Sequence, residues 1–113
     1  MEISTLSADQ AYQMLQEDKC NLIDIRESNE LELTGRVEGA NHIPMGNLET
    51  LLDLNSDVFK NGQIDKDKEL VLFCAGGIRS EMSVKSLIEK GFKNISHIEG
   101  GFGSIRNSSF KIV

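Results

Sequence analysis

The segment with the most evident chemical potential runs from Leu70 to Ser80 and reads LVLFCAGGIRS. Cys74 follows an apolar run that predicts a buried strand, and it precedes a predicted helix that begins near Arg79. The two glycines between them allow the backbone to curl with its amide hydrogens pointing inward. The helix start and the Arg79 guanidinium add positive charge at the same place, which favours a thiolate. The pattern predicts that Cys74 is a nucleophile in an anion-binding loop.

A buried structural cysteine before an ordinary strand-to-helix turn is the competing interpretation of Cys74. Unpaired cysteines are among the most buried residues, so a cysteine alone favours that interpretation. Here the cysteine coincides with a double glycine, a basic residue and a helix start, which is the setting that thiolate activation requires. We therefore favour a reactive thiol. The hypothesis requires amide hydrogens that face the sulfur and a path from solvent to it.

Apolar runs alternate with helical patterns and predict the elements that position this loop. The predicted strands lie at 3–6, 21–25, 39–44, 69–73 and 94–98. The predicted helices follow a capping box at 7–10, cover 29–33 and the leucines between 48 and 54, and run from about 79 to 90. The order predicts one α/β domain over 1–113, with a central, mostly parallel five-stranded sheet and helices on both faces. The carboxyl ends of such strands form the ligand crevice, where Cys74 is expected.

Composition excludes several classes of protein. The chain has 113 residues, of which 39% are hydrophobic and 27% are charged, as in a folded globular domain. Its net charge of −6 argues against a general nucleic-acid or anionic-membrane binder. No signal peptide is visible at the N-terminus and no apolar run is long enough to span a membrane, so we expect a cytoplasmic protein.

The two cysteines and two histidines do not predict a metal site. Cys20, His42, Cys74 and His97 are spread along the chain without a CxxC or HxxxH pair. Cys20 begins a predicted strand and is interpreted as a core or edge residue. Either histidine could serve as a general base, but a structural role is favoured because an ionised thiol needs no base.

Three charged residues follow the second predicted strand. Asp24 and Arg26 point to the same side of that strand, so they could pair with each other, or Arg26 could pair with Glu30. Charged groups at strand ends are commonly paired, so we expect structural support of the loop rather than catalysis. Arg79 has two open interpretations, which are a positive charge directed at an anionic donor and a residue that faces solvent.

The sequence resembles the single-domain rhodanese family, the thiosulfate sulfurtransferase-like proteins. Residues 74–80 resemble the CxxGxRS active-site loop, 24–30 the DxRxxxE segment, 35–44 the GHIxGAxNIP segment, and 100–101 the late glycine pair. The four segments occur in the family's order between about residues 3 and 105. Arg36, His42 and Ile105 depart from the family's usual histidine, asparagine and tryptophan.

The resemblance implies sulfur transfer through a persulfide on Cys74, without a cofactor or a metal. The donor would be a small anion such as thiosulfate, and the acceptor a thiol, cyanide or a protein cysteine. The substrate would lie among the amides of the loop, which are those of Ala75, Gly76, Gly77, Ile78, Arg79 and Ser80. No nucleic acid or membrane partner is expected, and a monomer is favoured.

Two alternatives remain at this point. Phosphatases and arsenate reductases also place a cysteine and an arginine around an anion-binding loop, but with five residues between them, whereas Cys74 and Arg79 are separated by four. The shorter loop leaves less room for a tetrahedral oxyanion. A non-enzymatic sulfur carrier or interaction module is the second alternative, although the intact cysteine loop argues against an inactive domain.

Overall fold

The sheet consists of five strands that all pair in parallel, in the order β1-β5-β4-β2-β3. We describe it in a computed structural model of residues 3–53 and 56–113. The strands are β1 (Ser4–Leu6), β2 (Cys20–Asp24), β3 (Ala40–His42), β4 (Glu69–Phe73) and β5 (Ile95–Ile98). Because β4 lies in the middle, the loop that follows it opens at the centre of the sheet's carboxyl edge.

Within the described residues, six helices connect and cover these strands. They are α1 (Ala8–Gln16), α2 (Ser28–Thr34), α3 (Leu48–Leu51), α4 (Asp57–Lys60), α5 (Ile78–Glu89) and α6 (Gly101–Ile105), with a 3-10 turn at Met45–Asn47. The predicted capping box of α1 is present, since the Ser7 hydroxyl accepts from the Gln10 amide and the Gln10 side chain accepts from the Ser7 amide. Such reciprocal caps satisfy amides that otherwise lack partners at a helix start.

Buried side chains form one cluster on each face of the sheet. Leu70, Leu72 and Cys74 pack on the face that carries Val84 and Leu87 of α5. The other face holds the second cluster, whose members include Cys20, Val71, Phe73, Ala11 of α1 and Phe102 of α6. The period of two along β4 explains this division. The predicted α/β fold, with helices on both faces of a parallel sheet, is confirmed.

Three features of the fold were not predicted. Helix α4 was not among the predicted helices, and α6 begins where the sequence indicated only a closing glycine pair. Near the end of the chain, Ile112 forms an isolated antiparallel bridge with Val37, outside the five strands. Leu54, assigned to a predicted helix, and the first two residues of the chain lie outside the described residues. No helix within the described ranges is both long and apolar enough to cross a membrane.

Candidate active site

Cys74 is the first residue after β4, on the floor of the loop that leads into α5. The hydrogen bonds to its sulfur come from one side. The Gly77 amide lies 3.0 Å and the Ser80 amide 3.4 Å from Sγ, and the Ser80 hydroxyl lies 3.6 Å away. The predicted arrangement of inward-facing amides is therefore present at Gly77 and Ser80. Among the described residues, Ala75, Ile78 and Arg79 make no hydrogen bond to the sulfur, so the full set of loop amides does not converge on it.

The thiol of Cys74 is an acid of more than ordinary strength. Burial raises its pKa, but hydrogen bonds from the Ser80 hydroxyl and from the amides of Ser80, Gly77 and Gly76 act against burial and leave the pKa lowered. Hydrogen bonds to a charged form favour that form, and these donors favour the thiolate. The loop thus supplies the electrostatics that a cysteine nucleophile needs.

The path from solvent that a reactive thiol requires is closed in this conformation. Cys74 is 1% exposed, although Ala75 and Gly76 beside it are exposed. The apolar cluster on one face of the sheet surrounds the side chain, and the loop amides cover what remains. The expectation of an accessible thiol is therefore not met in this structure.

Two glycines give the loop its shape. Gly77 has φ of +108° and stands immediately before α5, in a region that side chains other than glycine rarely adopt. Gly101 has φ of +56°, and a Cβ built there would lie 2.3 Å from the Cys74 carbonyl oxygen. That carbonyl accepts a 2.8 Å hydrogen bond from the Phe102 amide, and the Ala75 carbonyl accepts one of 3.3 Å from Gly103. The start of α6 therefore anchors the loop from behind.

Arg79 forms an ion pair with Glu30 across the top of the loop. Its Nη1 and Nη2 donate to the two carboxylate oxygens of Glu30 at 2.9 Å and 2.8 Å. The hydrogen bond from Arg79 lowers the pKa of Glu30 to about 2 although partial burial opposes it. Of the pairings that the sequence left open, Arg26 with Glu30 is not formed. The guanidinium of Arg79 is therefore paired with Glu30 and does not extend freely into solvent.

Arg26 forms a second ion pair, with Asp24, and this pair is buried. Its guanidinium donates to both carboxylate oxygens of Asp24 at 2.8–3.1 Å, and each residue is 1% exposed. The guanidinium carbon lies 4.1 Å from the ring centre of Phe102 and 5.9 Å from that of Phe73. A buried charge needs such a paired and hydrogen-bonded setting. The predicted role of Asp24 and Arg26 in supporting the loop stays a prediction.

His97 also belongs to this group of contacts, although no pattern in the sequence links it to Cys74. Its Nδ1 lies 2.9 Å from the Ser80 hydroxyl oxygen. The connection follows from register, because His97 pairs with Leu72, two residues before Cys74 on the neighbouring strand. This contact depends on β5 lying beside β4, and the order of strands in the sheet cannot be read from a local sequence pattern.

A model of the rhodanese-like domain matches residues 7–108. The chain belongs to the rhodanese-like domain family. The matched range includes the Cys74 loop and the glycine pair at 100–101. The resemblance to the rhodanese family is therefore confirmed.

Individual relatives carry different names. A tRNA uridine(34) hydroxylase from Yersinia enterocolitica is 35% identical over 96 residues, which are 85% of this chain and 26% of that protein. The chain therefore spans about a quarter of the length of the curated relatives it matches. A structure from Rhodopseudomonas palustris, described as a protein of unknown function and possible tyrosine phosphatase, has a TM-score of 0.84 and 32% identity, covering 98% of this chain and 85% of that one.

A human single-domain sulfurtransferase has the same fold, with a TM-score of 0.78. It is 22% identical and covers 96% of this chain and 99% of its own. At that identity the likeness concerns the fold alone.

The remaining cysteine and histidine of this rhodanese-like domain lie apart from the thiol. Cys20 is opposite Glu69 at the start of β4, so roughly 16 Å of sheet separates it from Cys74 at about 3.3 Å a residue. Burial and the charge of Glu69 raise the pKa of Cys20 to about 11. His42 Nε2 lies 2.7 Å from the Arg26 carbonyl oxygen, a structural contact. The described residues contain no group of three or more His, Cys, Asp or Glu that could hold a metal ion.

Proposed function

We propose that this rhodanese-like domain is a sulfurtransferase that carries a sulfane sulfur as a persulfide on Cys74. The observation that supports it most directly is the pair of amides, from Gly77 and Ser80, that donate to Sγ. Fixed amide dipoles stabilise an anion at low cost because they do not have to reorient during the reaction. Membership of the rhodanese-like family supports sulfur-transfer chemistry at this cysteine.

The proposed reaction has two half-reactions. In the first, the Cys74 thiolate attacks the outer sulfur of thiosulfate, and the sulfur–sulfur bond of the donor breaks with its electron pair leaving on sulfite. Cys74 then carries a persulfide anion. In the second, a thiolate or cyanide attacks the outer sulfur of the persulfide, and the Cys74 thiolate leaves. Covalent catalysis of this kind predicts ping-pong kinetics.

Loop length and the Glu30–Arg79 pair favour sulfur transfer over phosphate hydrolysis. The name of the Rhodopseudomonas palustris protein raises the phosphatase alternative for this chain. Four residues separate Cys74 from Arg79, whereas the phosphatase signature has five. In addition, Glu30 holds both terminal nitrogens of Arg79, so the guanidinium is not free to embrace a phosphoryl group. The tighter loop suits a single sulfur atom.

The hydroxylase activity in the name of the tRNA uridine(34) hydroxylases is not proposed for this chain. Only about a quarter of their length is shared, and that quarter carries the rhodanese-like match. The net charge of −6 argues against RNA as the partner of this domain, and a small anionic donor would have to be held by local groups such as the loop amides. We propose a thiosulfate-like donor and a thiol acceptor, within a reducing cytoplasm.

The experiment that tests the function is intact-mass analysis of the protein after treatment with thiosulfate. We expect one added sulfur in the parent and in Cys20→Ser, and none in Cys74→Ser. Cyanide should then remove the added sulfur and form thiocyanate. The Cys20→Ser variant is the matched control because it removes the other buried thiol of the chain and leaves the loop intact.

Three results would contradict the proposal in whole or in part. An added sulfur on Cys74→Ser would show that another group is the nucleophile. Absence of any adduct on the parent, together with hydrolysis of p-nitrophenyl phosphate, would favour the phosphatase alternative. Formation of a stable persulfide that neither cyanide nor thiols discharge would indicate a carrier that needs its own partner protein.

A further inference from the structure

A row of hydrogen-bonding groups leads from Cys74 to the surface. The Ser80 hydroxyl oxygen lies 3.6 Å from Sγ of Cys74 and 2.9 Å from Nδ1 of His97. On the other side of the ring, Nε2 of His97 lies 3.3 Å from the hydroxyl oxygen of Thr5. Since β1 is an edge strand, the row passes from the centre of the sheet to its rim.

Burial changes sharply along this row. Ser80 is 0% and His97 is 6% exposed, and Cys74 is almost as deeply buried, whereas Thr5 is exposed. The thiol therefore has no contact with bulk water through which it could lose a proton in the closed conformation. The row through Ser80 and His97 gives that proton a hydrogen-bonded exit.

The donors and acceptors of the row have two consistent arrangements. With a neutral thiol, S–H donates to the Ser80 oxygen, the Ser80 hydroxyl donates to Nδ1 of His97, and Nε2–H donates to Thr5. With a thiolate, Ser80 O–H donates to the sulfur and Nδ1–H donates to the Ser80 oxygen. A serine hydroxyl and a histidine ring can each donate and accept, so either arrangement satisfies both groups. In either one the Ser80 hydroxyl proton is taken from the 3.2 Å hydrogen bond that it can also donate to the Gly77 carbonyl oxygen.

We propose that His97 is a positioning residue that turns the Ser80 hydroxyl toward the Cys74 thiolate and receives the proton displaced by ionisation. The S–H bond breaks, its proton passes to the Ser80 oxygen, and the original Ser80 proton passes to Nδ1 of His97. The bonding electron pair stays on sulfur. The inference rests on the proposed function for its purpose, since it concerns the thiol that would accept the sulfur.

The surroundings of His97 keep its ring neutral and make it a weaker base than an ordinary histidine. Burial lowers its pKa, while the charges of Glu81 on α5 and Glu99 just beyond β5 act in the opposite direction. Its partners on the neighbouring strands, Thr5 of β1 and Leu72 of β4, carry no charge. The ring is therefore neutral at pH 7 and able to accept, and the two glutamates stabilise the imidazolium when it forms.

The experiment measures the rate of Cys74 alkylation by iodoacetamide from pH 5 to pH 10. Every variant carries Cys20→Ser so that one thiol reacts. We expect His97→Leu to slow alkylation by about fivefold at pH 6.5, as expected for loss of one ordinary hydrogen bond, because His97 acts on the thiolate only through Ser80. His97→Asn keeps an amide donor near the position of Nδ1 but does not titrate, so it should recover part of the rate and lose one of the two coupled steps in the pH profile.

A double-mutant comparison tests whether the effect passes through Ser80. In the presence of Ser80→Ala, His97→Leu should have no further effect on the pH profile of alkylation. An equal effect in both backgrounds would overturn the inference. So would a His97→Leu profile that superimposes on that of the parent.

Thr5→Val covers the case in which the buried substitutions fail to fold. Thr5 is exposed, so this variant keeps the core and removes the partner of Nε2. We expect a displaced low-pH step in its alkylation profile, and an unchanged profile would overturn the inference. Intact-mass analysis with thiosulfate is run in parallel. A profile that depends on His97 in a protein that forms no persulfide would refute sulfur transfer alone.

Discussion

Glu30 and Arg79 join helix α2 to the first turn of α5 through two parallel hydrogen bonds of 2.8 Å and 2.9 Å. The two residues are 49 positions apart in sequence, and their contact closes one side of the loop that holds Cys74. A planar guanidinium and a carboxylate that meet through two bonds fix orientation as well as distance. The pair therefore holds the first turn of α5 against α2. Its loss should lower the stability of the domain and change the reactivity of the Cys74 thiol.

The pH dependence of stability should report this pair. The pKa of Glu30 is lowered to about 2 in the folded protein, from an ordinary value of 4.5. As the pH falls, the unfolded chain takes up this proton first, so the stabilisation is fully present above pH 4.5 and is lost as the pH approaches 2. Glu30→Gln should remove that slope. Because both side chains are about one-third exposed, we expect a loss of about 1 kcal/mol at pH 6.

Urea unfolding at pH 6, 4 and 3 measures the effect of Glu30→Gln. Glu32→Gln provides the matched control because Glu32 is an exposed carboxylate on the same helix. Equal slopes of unfolding free energy against pH in the two variants would show that the Glu30–Arg79 contact contributes nothing in solution.

Gly101→Ala should displace the backbone of the Cys74 loop. The added Cβ would lie 2.3 Å from the Cys74 carbonyl oxygen and 2.9 Å from that of Ala75, and φ at this position is +56°. Backbone atoms cannot yield cheaply, so the loop must shift, at a cost of about 1–3 kcal/mol. We expect persulfide formation with thiosulfate to slow at least tenfold.

Gly103→Ala is the control for that substitution, because it lies in the same short helix and its Cβ would meet the Ala75 carbonyl oxygen at an ordinary 4.0 Å. It should leave persulfide formation intact and increase helix propensity by up to about 1 kcal/mol. If both alanine variants form persulfide at the parent's rate, the close approach of α6 to the loop is not needed for reactivity.

The strands and the position of the thiol followed from local sequence, whereas the contacts around the thiol did not. Apolar runs such as 69–73 predict buried strands directly, because both faces of a parallel sheet are covered. Helix α6 was missed because Gly101 and Gly103 give it poor helix propensity. Its amides are instead satisfied by the carbonyls of Cys74 and Ala75, a tertiary contact that no local pattern contains.

The same reasoning explains which pairs were predicted. Asp24 and Arg26 are two residues apart, and their pairing was one of the two that the sequence left open. The partners of Arg79 and Ser80 come from α2 and β5, and only the order of strands in the sheet brings them together. The sequence therefore predicted that Cys74 follows a buried strand, but it did not reveal the groups that form hydrogen bonds to the sulfur.

Arg26→Met should destabilise the domain strongly. It would leave the Asp24 carboxylate buried without its partner, and breaking a buried ion pair in this way costs about 3–5 kcal/mol. The double variant Asp24→Leu with Arg26→Met removes both charges and should recover part of that loss. Urea unfolding of the two variants and the parent measures both effects. A loss below about 1 kcal/mol for the single variant would contradict the idea that this pair supports the loop.

The two cysteines should differ in reactivity in a direction that exposure alone does not predict. Cys20 is 5% and Cys74 is 1% exposed, so accessibility would favour Cys20. Ionisation favours Cys74, because the pKa of Cys20 is raised to about 11 while that of Cys74 is lowered. The thiolate is the reactive form, and at pH 7 a thiol with a pKa near 11 is ionised in roughly one molecule in ten thousand. Cys20 also lies within a packed cluster against α1, whereas Cys74 lies under a loop whose neighbours are exposed.

Limited labelling with iodoacetamide at pH 7, followed by peptide mapping, should therefore modify Cys74 first and Cys20 only on unfolding. The rate at Cys74 is expected to depend on loop opening as well as on ionisation, since the sulfur is covered in the closed conformation. A loop released by Glu30→Gln should react faster than the parent at the same pH, even though the charge of Arg79 is unchanged. Labelling of Cys20 ahead of Cys74 would mean that the loop stays closed on the timescale of the reaction, and the proposed sulfur transfer would then lack an entry route for its donor.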